Sequence, residues 1–290
     1  MIKHTLTKLP LQTYDLNITI PTEDIQVQYK KAFDLVLSQF EFEGFRKGKV
    51  PRSIGEKHIK KDAVYQQLIH SFIPSVYEDI VKKENLKPIV NPKIDLVKAK
   101  ENEPWELKIT VAQKPDVKLK DFKKKVQEIK ASSKKDDIWV PGKDQKVRTE
   151  QDEKAKKDKL FNEILTGILK EVECEVSPLI IESELNKRLS QLVDDVQKLG
   201  LTVDAYLQSK GLKMEQLKKQ YSDEISQMYK LEFILMEIAD QEKITVGQEE
   251  IQKIFAGIKD PKEQASAQQN AYFYASVLRK QKTLDYIIGL

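Results

Sequence analysis

The 290-residue sequence predicts an α+β amino-terminal domain over residues 1–114 and an all-α carboxy-terminal domain over residues 149–290. Three observations predict it. Apolar and polar residues alternate with period two at 13–20, 94–98 and 105–111, and runs of helical spacing separate the first of these from the other two. From about Thr149 the helical period dominates to the end. Between these regions, 115–148 is dense in charge and poor in apolar residues, which is linker chemistry. The length suits about two domains, each able to bury its own core.

Tyr14, Leu16, Ile18 and Ile20 alternate with polar residues as in a half-buried strand, which Pro21 ends. Thr22 can cap the following helix, and Ile25, Tyr29, Phe33, Val36, Leu37 and Phe40 form its buried stripe. After Pro51 a short helix is expected to about Lys60. A longer one carries Val64, Leu68, Phe72, Val76 and Ile80, with Pro74 expected to kink it. Ile94 to Lys98 and Trp105 to Val111 read as two strands around a turn at Glu101 to Glu103.

Residues 115–129 are expected to continue as an extended segment, and 131–145 as a turn or loose connector. Beyond 149, Leu160 to Val172 make one broad apolar face. Ser177-Pro178 is a cap followed by a first helical residue, and Gly200 and Gly211 stop the next two helices. The longest helix follows, with Leu217, Ile225, Leu235 and Ile238. Thr245 to Gln248 reads as a capping box, and Asp260-Pro261 precedes a last helix.

One stretch does not serve a core. Phe42 to Pro51 lies between two helical patterns, and Gly44, Gly48 and Pro51 mark it as a turn with an exposed tip. Between Phe45 and Lys61 there are seven Lys/Arg and one acidic residue, so the segment is drawn to polyanions even though the whole chain carries only +4. A phosphate-binding P-loop is excluded, because three residues separate Gly44 from Gly48-Lys49 and Val50 stands where Ser or Thr is needed.

The pattern Gly-Phe-Arg-x-Gly-Lys-x-Pro, present from Gly44 to Pro51, resembles the ribosome-docking signature of trigger factor, the bacterial chaperone that receives nascent chains. The element order of the first domain and the phrase Val176 to Glu184 resemble that family too. The resemblance implies an ATP-independent chaperone that docks on the large ribosomal subunit beside the polypeptide exit tunnel. Gly44, Phe45, Arg46, Lys47, Gly48, Lys49 and Pro51 would make the contact: the cations on rRNA phosphates or acidic side chains, Phe45 in a pocket on a ribosomal protein. Nascent or unfolded polypeptides would be the clients. Tyr206, Tyr221, Tyr229, Tyr272, Phe273 and Tyr274 are the candidate client contacts, being more aromatics than a plain bundle requires. A homodimer of the free protein is compatible with the resemblance. The sequence departs from the family at 115–148, where the FKBP-like prolyl isomerase barrel has no room, so a domain without that activity is expected.

Other chemistry lacks support in the residues. His4, His58 and His70 have no ligand spacing, and Cys174, the only cysteine, lies between two glutamates that discourage a thiolate. No cofactor or metal is expected, nor a membrane span, and the composition reads as cytoplasmic. Two rivals stand beside the chaperone: a prolyl isomerase, as in full-length family members, and an rRNA-binding ribosome-assembly factor.

Overall fold

The structure, a computed structural model, describes residues 2–135, 150–258 and 260–290. It divides into two compact units, Met1–Lys114 and Pro115–Leu290. In the first, four antiparallel strands, β1 (Lys3–Leu9), β2 (Thr13–Ile20), β3 (Lys93–Lys98) and β4 (Trp105–Ala112), form one sheet in the order β1-β2-β4-β3. The β2–β4 register sets Leu16 opposite Ile109 and Ile18 opposite Leu107, so both strands turn their apolar residues to one face. Helices α1 (Thr22–Gln39) and α3 (Lys61–Lys83) pack on each other, and their Phe33, Val64 and Leu68 join Leu16, Ile18 and Trp105 in the core. On the other face Asp15, 7% exposed, accepts from the Thr110 hydroxyl at 2.8 Å and pairs with Lys108 at 2.9 Å. A slip of one residue would carry that carboxylate to the apolar side, so the pair fixes the register.

One feature of this unit differs from the sequence reading. Strand β1 was not among the expected strands. It joins β2 through a type I′ turn closed by Thr13 N–H donating to the Pro10 carbonyl at 3.3 Å, with Leu11 at φ 59° and Gln12 at φ 52°. Such turns usually carry Asn-Gly, and neither residue here signals a hairpin. Pro74 lies within α3 (Lys61–Lys83), the helix in which the sequence places it.

The second unit is helical: α4 (Phe122–Lys135), α5 (Glu150–Glu171), α6 (Pro178–Lys198), α7 (Val203–Lys210), α8 (Met214–Gln241), α9 (Gln248–Ala256), α10 (Pro261–Gln269) and α11 (Ala271–Gly289), after α2 (Arg52–His58) in the first unit. The long α8 packs against α6, α11 and α5. Ile164 and Ile168 of α5, Ile180 of α6 and Ile225, Ile234 and Ile238 of α8 are fully buried where these helices meet. The caps follow from local chemistry. The Leu179 N–H donates to the Ser177 hydroxyl at 3.3 Å, and Gly211 ends α7 at φ 65°.

The expected linker is corrected here. Residues 115–129 are not an extended crossing segment: Phe122 to Lys135 form α4, which packs on α5 and buries Leu119, Phe122 and Val126. The main chains of Lys118 and Glu173 exchange hydrogen bonds at 3.0 and 3.2 Å, and Lys120 pairs with Glu173 at 2.6 Å. Phe122, Val126 and Ile129 stand at i, i+4 and i+7, a helical stripe that the surrounding lysines masked. The part of the expected connector beyond Lys135, with Trp139, lies outside the described residues. The expected capping box also shifts, since α9 starts at Gln248 and the Gly247 N–H donates to Glu250 at 2.8 Å. Asn270 divides the expected last helix from α10. Among the described residues there is one sheet and no FKBP-like barrel, and the fold is an α+β unit followed by an all-α unit.

Candidate functional site: the basic loop after α1

Chain reversal after α1 is built from two successive turns. Phe45 N–H donates to the Phe42 carbonyl at 3.0 Å and Lys49 N–H to the Arg46 carbonyl at 2.9 Å. The third position of each turn is a glycine at positive φ, Gly44 at 86° and Gly48 at 72°, as a type II turn requires. The four-residue spacing of the glycines is therefore the spacing of the turns. Gly48 has a second reason, because a β carbon there would stand 2.6 Å from the Ser38 carbonyl oxygen.

The loop is open at its tip and anchored at its base. Phe45 is 41% exposed and Arg46, Lys47 and Lys49 are exposed, whereas Val50 is buried. Phe42 lies 6.2 Å from Phe40, 6.5 Å from Phe45 and 4.6 Å from the His58 ring, making an aromatic row under the tip. Pro51 precedes α2, which Arg52 ties to α1 by donating to Asp34 at 2.8 Å and to Glu56 at 3.0 Å while covering the Phe33 ring. Gly55 faces α1 so closely that a β carbon would meet Leu37 at 2.5 Å. Phe40, Phe42, Arg52, Gly55 and His58 are supports that the sequence reading did not single out. Only the tandem Phe40-x-Phe42-x-x-Phe45 could have drawn attention to the row.

The six candidate aromatics of the helical unit do not share one surface. Tyr221 lies under Arg188, whose guanidinium is 3.9 Å from the ring centre, and Tyr229 donates to Glu184 at 3.3 Å, so both serve the α6–α8 contact. Burial, with Glu184 beside it, pushes the Tyr229 hydroxyl up to about 12. Tyr274 meets Phe255 edge-on at 5.5 Å, and Tyr206 is half-buried on α7. Tyr272 and Phe273 are different: they are 88% and 62% exposed at the start of α11. Tyr272 stands on a groove of about 460 Å³ between α8 and α11, lined also by Leu235, Met236, Val246 and Ala275. Ion pairs edge it, Glu232 with Lys280 at 2.5 Å and Asp240 with Arg279 at 2.7 Å.

At the C-terminal cap of α8, Glu242 accepts from Lys123 and from the Tyr286 hydroxyl, both at 2.7 Å, and these bonds hold its carboxyl below the ordinary range. Glu250 is lowered by Lys282 and then by the Gly247 N–H. Among the described residues no group of His, Cys, Asp or Glu is arranged to hold a metal, and no helix is long and apolar enough to cross a membrane. Cys174 is buried.

Fold and loop together define a class: a two-part protein whose α+β unit presents a cationic, aromatic hook and whose remainder is a helical unit with an exposed tyrosine on a groove. The family descriptions "Bacterial trigger factor protein (TF)" and "Bacterial trigger factor protein (TF) C-terminus" match residues 2–139 and 144–288. The chain belongs to the bacterial trigger factor family. It is 33% identical over 125 residues to the trigger factor of Lactococcus lactis subsp. lactis strain IL1403, covering 43% of this chain and 29% of that protein. It is 33% identical over 108 residues to that of Staphylococcus aureus strain JH9, covering 37% and 25%. The matched stretch is thus under a third of the length of these relatives. A solved structure from work on promiscuous substrate recognition in the folding and assembly activities of the trigger factor chaperone aligns with a TM-score of 0.63, covering 99% of both chains at 14% identity.

Proposed function

We propose that the protein is an ATP-independent, ribosome-associated chaperone of the cytoplasm. The loop from Gly44 to Pro51 docks beside the polypeptide exit tunnel of the large subunit, with Arg46, Lys47 and Lys49 against rRNA and Phe45 in a pocket on a ribosomal protein. The helical unit shields apolar segments of nascent chains, and of the six candidate aromatics Tyr272 on the α8–α11 groove and the exposed Phe273 beside it in sequence are the first contacts. Family membership supports this reading. The observation that carries it is the exposed Phe45–Lys49 tip held on a rigid base of glycine turns and stacked rings.

Weak, dispersed client contacts suffice because docking beside the exit raises the local concentration of client to the order of mM. Tight contacts would prevent release. When free of ribosomes the protein can pair with a second copy. Co-sedimentation with ribosomes tests the docking: wild type should pellet with them and Phe45→Ala/Arg46→Ala/Lys47→Ala should not. Undiminished binding by the triple variant removes the assignment.

A further inference from the structure

Seven cations lie between Phe45 and Lys61, and acidic side chains already hold three of them. Lys47 pairs with Glu41 at 3.2 Å, Arg52 with Asp34 at 2.8 Å and Glu56 at 3.0 Å, and Lys61 with Glu101 at 2.7 Å. The other four, Arg46, Lys49, Lys57 and Lys60, are exposed and have no acidic partner among the described residues. Two of these are in the loop. Lys57 and Lys60 are not: they stand at the far end of α2, outside the signature, on either side of His58. The His58 ring lies 4.6 Å from Phe42, which brings that end of α2 back to the base of the loop. With Gly55 seated against Leu37, the loop and the end of α2 form one piece.

We propose that Lys57 and Lys60 form a second phosphate contact, which extends the footprint of the docking loop along an RNA strand. This rests on the docking reading. An ammonium group without a carboxylate partner displaces condensed counterions when it meets a phosphate, whereas one already paired gains less, since it must first leave its carboxylate, as Lys47 leaves Glu41 when the loop docks. Their like charge, with Arg46 and Lys49 on the same piece, is relieved by a polyanion running past both.

The test is the salt dependence of binding to naked large-subunit rRNA and to 70S ribosomes, compared for wild type, Lys57→Gln/Lys60→Gln and Lys61→Gln. On rRNA the double variant should flatten the plot of log K against log salt by about 1.4, roughly 0.7 for each lost phosphate contact. Lys61→Gln should leave it as in wild type, because Glu101 already holds that charge. Urea unfolding should show both variants folded as wild type. An unchanged slope for the double variant overturns the proposal. A slope that falls on ribosomes and not on naked rRNA also overturns it, assigning the contact to an acidic protein surface. If wild type binds neither probe, the docking reading falls and the proposal with it. If Phe45→Ala/Arg46→Ala/Lys47→Ala loses ribosomes while the double variant keeps the full slope, docking stands and the extension alone fails.

Discussion

Gly48 passes so close to Ser38 that a β carbon on the glycine would stand 2.6 Å from the serine carbonyl oxygen. Nothing lies within 4 Å of the corresponding position on Gly44, although its φ of 86° is equally foreign to other residues. The two glycines are therefore not equivalent. Gly44→Ala should cost about 1 kcal/mol from backbone strain alone, and Gly48→Ala about 2 to 3 kcal/mol because the α1 end must move as well. Urea unfolding measures the difference. Ribosome co-sedimentation should fall further for Gly48→Ala, since the loop base moves with it.

Phe122 is 3% exposed although it belongs to a stretch rich in lysine. If α4 is part of the helical core, Phe122→Ala should destabilise the protein by about 3 to 5 kcal/mol. A residue in a loose connector would cost almost nothing. Gly167→Val supplies a second check on the same contact, as its added methyls would run into Ile129 and cost about 1 to 3 kcal/mol. Thermal melts separate these cases.

Among the aromatics of the helical unit, the structure distinguishes packing from display. Tyr229→Ala should lower stability by about 1 to 3 kcal/mol, because it removes a half-buried ring bonded to Glu184. Tyr272→Ser/Phe273→Ser should leave the melting temperature within about 1 °C, as both rings are exposed. The double variant should, however, suppress aggregation of an unfolded client less well in a light-scattering assay. Equal protection by the double variant and wild type would remove these two rings from the client surface.

Acid should loosen the helical unit through Glu242 and Glu250. Both carboxyls are depressed below their ordinary value of 4.5 in the folded protein, by Lys123 and Tyr286 in one case and by Lys282 and Gly247 in the other. A depressed folded value means that the stabilisation is present above the unfolded value and disappears as pH falls through the folded one. The urea midpoint should therefore hold near neutrality and drop from about pH 4.5 downward. Glu242→Gln should flatten part of that acid slope, with no change in its shape above pH 6 beyond a uniform offset.

Much of this architecture was legible because periodicity reports burial. In strands β2 and β4 alternation and burial agree, as do the stripes of α1, α3, α6 and α8 with their packing, whereas β3 alternates in sequence but stays exposed, Ile94 at 42% and Leu96 at 43%. Strand β1 was not legible: it is an edge strand of threonines and lysines, and its hairpin turn uses Leu11-Gln12 where glycine or asparagine would have announced it. Helix α4 was hidden differently, its three-residue stripe being diluted by lysines, of which Lys123 pairs with Glu242 and Lys125 with Glu128 of the same helix. In the loop, the glycines foretold a turn with an exposed tip. The aromatic row and the Arg52 clamp beneath it arise only when α2 folds back on α1, which no local pattern encodes. The same holds for the candidate aromatics: Tyr221 and Tyr229 look like Tyr272 in sequence, and only the partner helix α6 tells them apart.

Gly55 has a mechanical consequence. Because that helix lies close on its neighbour, with a leucine methyl where a side chain would otherwise be, the base of the tip is coupled to the helix behind it. Whatever grips the hook grips the whole amino-terminal unit at once, and landing freezes few additional torsions. A pull on the tip is borne by tightly stacked atoms rather than by slack chain, much as a mooring cleat bolted through the deck passes the strain of the rope straight to the hull.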